Sequence, residues 1–250
     1  MKELLGLPVL TSKHGQQVDN LVIYVHWLMA VLFIGWFAYF VYALYRFRKS
    51  RHPKADYVGV KNHASTWIEV VVALAEGLLL FGMAVPFWAA AVDKFPAEKD
   101  ATVVRVVAQQ FAWNVRYAGK DGVFGPSRMD LVTAENPLGL DNSDPRTADD
   151  IQLLNEIHAP VGKPVIVYLS SKDVIHSFKL IAARVTQDAI PGMVIPFHFL
   201  PTSEGKYQIN CAQLCGNGHS TMAAGFFFVD SEANYQKWLA TKSGGAKTYE

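Results

Sequence analysis

The chain holds two cysteines, and both fall in one stretch, Cys211-Ala-Gln-Leu-Cys215-Gly-Asn-Gly-His219-Ser-Thr-Met222. Thiolate, imidazole and thioether are soft or borderline donors, which suit copper, whereas oxygen ligands suit magnesium or calcium. Cys215 follows Cys211 by four residues and His219 follows Cys215 by four, so a compact loop can turn all of them inward. One cysteine with His and Met would point to a mononuclear blue-copper site. Two thiolates in one loop can instead bridge a pair of copper ions. A second imidazole must then come from elsewhere. His176 is the best placed, following Asp173-Val174-Ile175 after the apolar run Val165–Leu169.

Two other readings stand beside copper. Cysteines in an oxidising compartment can close a disulfide, and an i,i+4 separation in a turn permits one geometrically. Two Cys with two His also make a zinc set. Met222 adds nothing to a zinc site, and a disulfide needs neither histidine.

The order His176, Cys211, Gln213, Cys215, His219, Met222 resembles the binuclear copper A site of the cytochrome c oxidase subunit II family. The lead-in Pro201-Thr-Ser-Glu-Gly-Lys-Tyr207 and the segment Asp188-Ala-Ile-Pro-Gly192 are similar to the same family. The likeness runs from the hydrophobic N-terminal segments to about residue 230. It implies that Cys211 and Cys215 bridge the metals, that His176 and His219 are terminal ligands, and that Met222 and the Gln213 carbonyl are axial. It also implies an electron relay. Electrons would arrive from a c-type cytochrome outside and pass to haems in subunit I, where oxygen is reduced to water and protons are translocated.

The resemblance carries three departures or additions. The family usually has glutamate where this chain has Gln213, and that glutamate reaches a magnesium ion at the interface with subunit I. Magnesium prefers charged oxygen ligands, so a neutral amide weakens that expectation. The family's electron-receiving tryptophan aligns with Phe111, and Trp113 matches its second tryptophan, although packing in a sandwich core would account for Trp113 equally. Glu69 stands where the family places a carboxylate at the mouth of a proton path. With Lys172 beside Asp173, Phe111 implies a specialised donor, such as a dedicated cytochrome domain held in a supercomplex.

The elements that must position these residues fall into two classes. Leu21–Tyr45 contains no Asp, Glu, Lys or Arg, and ~20 apolar residues suffice to cross a bilayer as a helix. Arg46, Arg48, Lys49, Arg51, Lys54 and Lys61 follow. The positive-inside rule puts that loop in the cytoplasm and the N-terminus outside. Trp67–Val92 reads as a second span that returns the chain to the outside. It carries Glu69 and Glu76, which share one helix face. A carboxylate facing lipid is costly, so that face must meet protein or water. A membrane partner subunit follows from this. The expected organisation is an extracytoplasmic lead-in over 1–20, a transmembrane hairpin over 21–94, a domain over 95–240 and a tail over 241–250. The membrane is expected to be a bacterial-type inner membrane, with both termini on the periplasmic side.

The rest reads as β-structure. Thr102–Val107 alternates as a strand does, and Gln110–Tyr117 continues it. Lys120–Asp150 is polar and reads as a solvated loop. Ile151–His158, Pro164–Ser170, His176–Ile181, Met193–Leu200, Lys206–Cys211 and Ala223–Val229 are short strands separated by turns, the mark of an all-β sandwich or barrel. Ser231–Ala240 reads as a terminal helix capped by Ser231. With the copper-loop pattern, the expected fold is a cupredoxin-like sandwich behind a two-helix membrane hairpin.

The chain has 250 residues, a formal net charge of +1 and 51% hydrophobic residues. That balance gives no reason to expect a nucleic-acid partner. No Cys-x-x-Cys-His haem-attachment motif occurs. A membrane-anchored copper chaperone or thiol–disulfide protein is the competing function. Such proteins also carry CxxxC, but with an αβ pattern and a single anchor helix.

Overall fold

The computed structural model describes residues 3–55, 57–59 and 61–242; the tail expected beyond Lys242 lies outside them. The chain divides into a helical unit reaching to Ala90 and a β unit from Ala91 onward, which also takes in Pro8–Gln16.

The helical unit holds α1 (Gly15–Arg46) and α2 (Ala64–Leu79), the latter continued by α3 (Val85–Asp93). Both continuous stretches are long and apolar enough to cross a membrane, with mean hydropathy 2.1 and 2.2. The first helix begins at Gly15 rather than at Leu21. Ser12 explains the early start: its hydroxyl accepts the Gly15 N–H at 3.2 Å, supplying a partner that a first turn lacks. Between α2 and α3 the backbone widens into a π-helical turn, Leu80–Ala84. Pro86 is the cause: it has no N–H to give, and its ring crowds the carbonyl four residues back.

The β unit is the expected cupredoxin-like sandwich. Among the described residues its ten strands are β1 (Thr102–Gln109), β2 (Ala112–Tyr117), β3 (Ile151–Leu154), β4 (Glu156–Pro160), β5 (Val165–Ser171), β6 (His176–Leu180), β7 (Val185–Ala189), β8 (Ile195–Phe199), β9 (Gly205–Cys211) and β10 (Gly225–Asp230). They form two five-stranded sheets, ordered β3-β2-β1-β5-β8 and β4-β10-β9-β6-β7. Val104, Val106, Trp113, Leu169, Phe178, Ile209 and Phe227 fill the space between them, all at most 1% exposed.

Several elements differ from the sequence reading. Gln110–Tyr117 does not continue the first strand. The chain reverses at Gln110–Phe111, and β1 and β2 pair antiparallel, with Ala108 opposite Trp113. Ile151–His158 is two strands in different sheets. The break is Asn155, at φ 61, whose side chain accepts the Trp113 N–H at 2.9 Å and makes the corner. β7 carries too few apolar residues to signal itself; it pairs with β6 at a sheet edge. Asp150 is not solvated: it is buried against Arg116, and Arg116 also donates to the Gly125 carbonyl at 2.7 Å. That pair ties the 120–150 segment to β2. The terminal helix α4 (Glu232–Lys242) is capped by Ser231, whose hydroxyl accepts the Asn234 N–H at 3.3 Å.

Of the expected lead-in, Pro8–Gln16 belongs to the β unit. Thr11 donates to Ala182 at 2.8 Å and receives the Thr202 N–H at 2.9 Å, while Lys13 donates to Leu200 at 3.1 Å.

Candidate metal centre

Strand register explains how a histidine 35 positions upstream of Cys211 reaches it. β6 and β9 are antiparallel neighbours with Phe178 opposite Cys211, and Ala212 extends the ladder by donating to Ser177 at 2.9 Å. His176 therefore stands at the same end of the sheet as Cys211. After β9 the chain loops through Cys215 and enters a short 3-10 turn, His219–Ala224. That turn brings His219 and Met222 back over the same spot.

The donor atoms converge. One ring nitrogen of His176 and the sulfurs of Cys211 and Cys215 all lie within 4.8 Å of one another. The two Sγ atoms are 3.9 Å apart. His219 Nδ1 is 3.4 Å from Cys215 Sγ. Met222 Sδ is 3.4 Å from Cys215 Sγ and 3.1 Å from His176 Nδ1. The Gln213 carbonyl is 3.1 Å from Cys211 Sγ, whereas the Gln213 side chain is exposed. All six residues named from the sequence are thus brought together. Both cysteines are free thiols. Burial pushes the Cys215 thiol up to about 11, and the adjacent Cys211 adds to the shift.

The surrounding residues hold this arrangement. His176 and Met222 are wholly buried. Asp173 accepts from His176 Nε2 at 2.8 Å through Oδ1, which leaves Nδ1 turned toward the sulfurs. Its Oδ2 accepts the Gln110 N–H at 2.7 Å. Burial works against ionisation of Asp173, but the Gln110 N–H, the His176 ring and the Val174 N–H hold its carboxyl below the usual range. Gln110 Nε2 donates to the Cys215 carbonyl at 2.6 Å. Neither Gln110 nor Asp173 was expected to support the metal ligands. The signal for Asp173 was its place three residues before His176, because a ring nitrogen facing away from a metal takes a carboxylate or carbonyl partner.

The two aromatics separate clearly. Trp113 is fully buried. Its Nε1 donates to the Met222 carbonyl at 3.1 Å, and its ring meets those of His176 and Phe178 edge-on. Phe111 is partly buried and packs over Gly216 and Gly218 of the cysteine loop. Glu69 and Glu76 lie on α2 in the other unit, both exposed.

A family model described as cytochrome c oxidase subunit II, periplasmic domain, matches residues 102–226. An alternative cytochrome c oxidase subunit 2 from Bradyrhizobium diazoefficiens is 34% identical over 229 residues, covering 89% of this chain and 79% of that protein. Cytochrome c oxidase subunit 2 of Cereibacter sphaeroides is 28% identical, covering 90% and 78% respectively. Among solved structures, the periplasmic domain of subunit II of cytochrome oxidase from Bradyrhizobium japonicum is 26% identical. It covers 60% of this chain and 96% of that one, with a TM-score of 0.43.

Proposed function

The chain belongs to the cytochrome c oxidase subunit II family, and from that membership we propose that its sandwich holds a binuclear copper A centre and relays single electrons. The observation that carries this reading is the convergence of six donors on one partly buried spot: two thiols 3.9 Å apart, two imidazoles, a thioether and a backbone carbonyl. The donor set fits copper, for which sulfur and imidazole are the preferred ligands. Cys211 and Cys215 would bridge, His176 and His219 would each take one metal, and Met222 and the Gln213 carbonyl would complete the set. When bound, the pair of coppers shares one electron between its metals, so little bond rearrangement opposes transfer.

The chain's own residues do the rest. Asp173 fixes the His176 ring, Trp113 fixes Met222, and Gln110 fixes Cys215. Each hydrogen bond anchors a ligand to a strand or strand turn, so the site is held before metal arrives. Phe111 covers the cysteine loop on the side of the β1–β2 turn and is the candidate for receiving electrons from a c-type cytochrome. The haems and the oxygen-reducing site belong to subunit I, with proton translocation by the complex. Both termini of this chain are assigned to the periplasmic side. Magnesium at the subunit I interface would have to rely on partner ligands, because the Gln213 side chain offers no charge. Glu69 is assigned to the mouth of a proton path in subunit I.

The thiol–disulfide or copper-chaperone alternative accounts for less. A disulfide needs neither histidine nor Met222, yet His219 and Met222 contact the Cys215 sulfur and a ring nitrogen of His176 lies within 4.8 Å of both sulfurs.

Metal analysis and electron spin resonance of the purified oxidase test the reading. A copper signal shared over equivalent nuclei and lost in Cys215→Ser supports it. A single-copper blue spectrum, or stoichiometric zinc, overturns it.

A further inference from the structure

A groove of about 890 Å³ runs over the outer face of the sheet containing β1 and β5. The residues of β1 that alternate away from the core, Val103, Arg105 and Val107, form part of its floor. Met129, Met193 and Val194 also line it. These three are 84%, 51% and 66% exposed. Exposed apolar side chains gathered round a groove belong to contacts with protein, membrane or ligand, unlike the single ones scattered over any surface. Methionine suits such a surface because its side chain adapts to what it meets.

Its charge is unbalanced. The Arg105 guanidinium lies over the Phe124 ring, 4.2 Å from the centroid. No described residue gives it a hydrogen bond or an ion pair. Burial and the neighbouring Arg116 work against its charge, and the Asp150 and Glu98 carboxylates only partly offset them. Arg116 is itself paired with Asp150. Lys172, the third cation in the lining, reaches only the Gln109 side-chain carbonyl at 3.5 Å. Glu98 is the one carboxylate in the lining, and it already accepts the Tyr168 hydroxyl. The groove thus offers apolar walls and a guanidinium fork without an acceptor, a geometry that a carboxylate meets through two parallel bonds.

We propose that this groove docks a short apolar segment of a partner polypeptide, with a carboxylate on that segment pairing with Arg105. The copper centre is not involved, so the proposal stands or falls apart from it. The test replaces Met193 with a photoreactive benzophenone amino acid in the full chain within native membranes, followed by irradiation and mass spectrometry of the adduct. The expected adduct is one peptide of another polypeptide, apolar and containing Asp or Glu. Its yield should fall about 5-fold in Arg105→Glu, less in Arg105→Gln, and recover when the partner carboxylate is exchanged for Lys in the Arg105→Glu background. The same probe at Thr186, exposed on the opposite sheet, should give no such peptide. Adducts confined to lipid or to a second copy of this chain overturn the proposal. So does a yield that ignores Arg105→Glu or equals that from Thr186.

Discussion

Phe111 lies so close against Gly218 that the backbone of that residue has no room for a Cβ. Gly218 has an ordinary negative φ of −93, so its smallness serves the ring and not the turn. Gly216 meets the same ring and also needs a left-handed φ of 136. The aromatic at the β1–β2 turn and the metal-loop glycines are therefore one packed unit. Gly218→Ala should displace Phe111 while leaving the ligand side chains in place. The expected result is electron acceptance from the donor slowed by about tenfold, or ~1.4 kcal/mol on the barrier, with the copper absorption little changed. Stopped-flow reduction of the oxidase reads both at once, and loss of the absorption with the rate would show that the glycine supports the metal loop instead.

Asp173 links that unit to a ligand, since its carboxylate takes His176 through one oxygen and Gln110 through the other. Removing such a partner typically weakens metal affinity by about 10–100-fold. Asp173→Asn should do so and change the spin-resonance parameters, because the ring loses a charged acceptor. Competition with a copper chelator measures the first effect. An unchanged affinity and spectrum would mean that the carboxylate serves only the β1–β2 turn.

Glu69→Gln tests the helical unit separately. If the carboxylate admits protons to the partner subunit, proton uptake during turnover should slow by about tenfold or more, while electron transfer into the copper centre keeps its rate. Equal slowing of both steps, or of neither, would make Glu69 a structural residue of the helix pair.

Most of the site was legible because metal ligands must be particular residue types, and four of them sit in one twelve-residue stretch. The membrane helices were legible from long runs without charge. What escaped was set by tertiary contacts. Asn155 turns one apparent strand into two by adopting φ 61 and capping Trp113, and nothing in an alternating pattern announces that corner. β7 is half solvated at an edge, so its apolar signal is weak. Ser12 was part of a polar lead-in by composition, yet it caps α1 and donates to the Ala183 carbonyl at 2.5 Å. Gln110 looks like any surface amide until the hairpin brings it to Cys215.

The sandwich should lose stability on mild acidification. His14, His158 and His198 all have pKa values lowered by burial from 6.5. For His158 the Asp230 carboxylate opposes the shift without cancelling it, and the ring is stacked between Phe228 and Trp238 at 4.5 and 4.2 Å. Below pH 6.5 the unfolded chain binds more protons at these sites than the folded one, so stability falls as pH drops through the unfolded value toward the folded ones. Thermal unfolding followed by tryptophan fluorescence should give a lower Tm at pH 5.5 than at pH 7.5. His158→Gln should lower Tm at neutral pH through lost stacking but reduce the drop between the two. A Tm independent of pH over this range would contradict the assignment of neutral buried rings.

The identity of the electron donor can be approached through Phe111 and Lys172. A phenyl ring is smaller and less polarisable than an indole, and it covers the cysteine loop at the site proposed to receive electrons. Lys172 places a base beside Asp173, and the Asp173 carboxylate is already engaged by His176 and Gln110. The local surface therefore offers little free negative charge to a strongly basic cytochrome. Such a donor gains association rate from an acidic patch, and that gain falls steeply with salt. A tethered donor domain needs no steering, because its effective concentration is already high. The purified oxidase should accordingly turn over slowly with a free, basic mitochondrial-type cytochrome c, with a shallow dependence on ionic strength. Phe111→Trp should raise that rate modestly where the larger ring can be seated over Gly216 and Gly218, and Lys172→Glu should steepen the salt dependence. Fast turnover of the unmodified oxidase that collapses between low and physiological salt would show a conventional steered donor and remove the case for a tethered one.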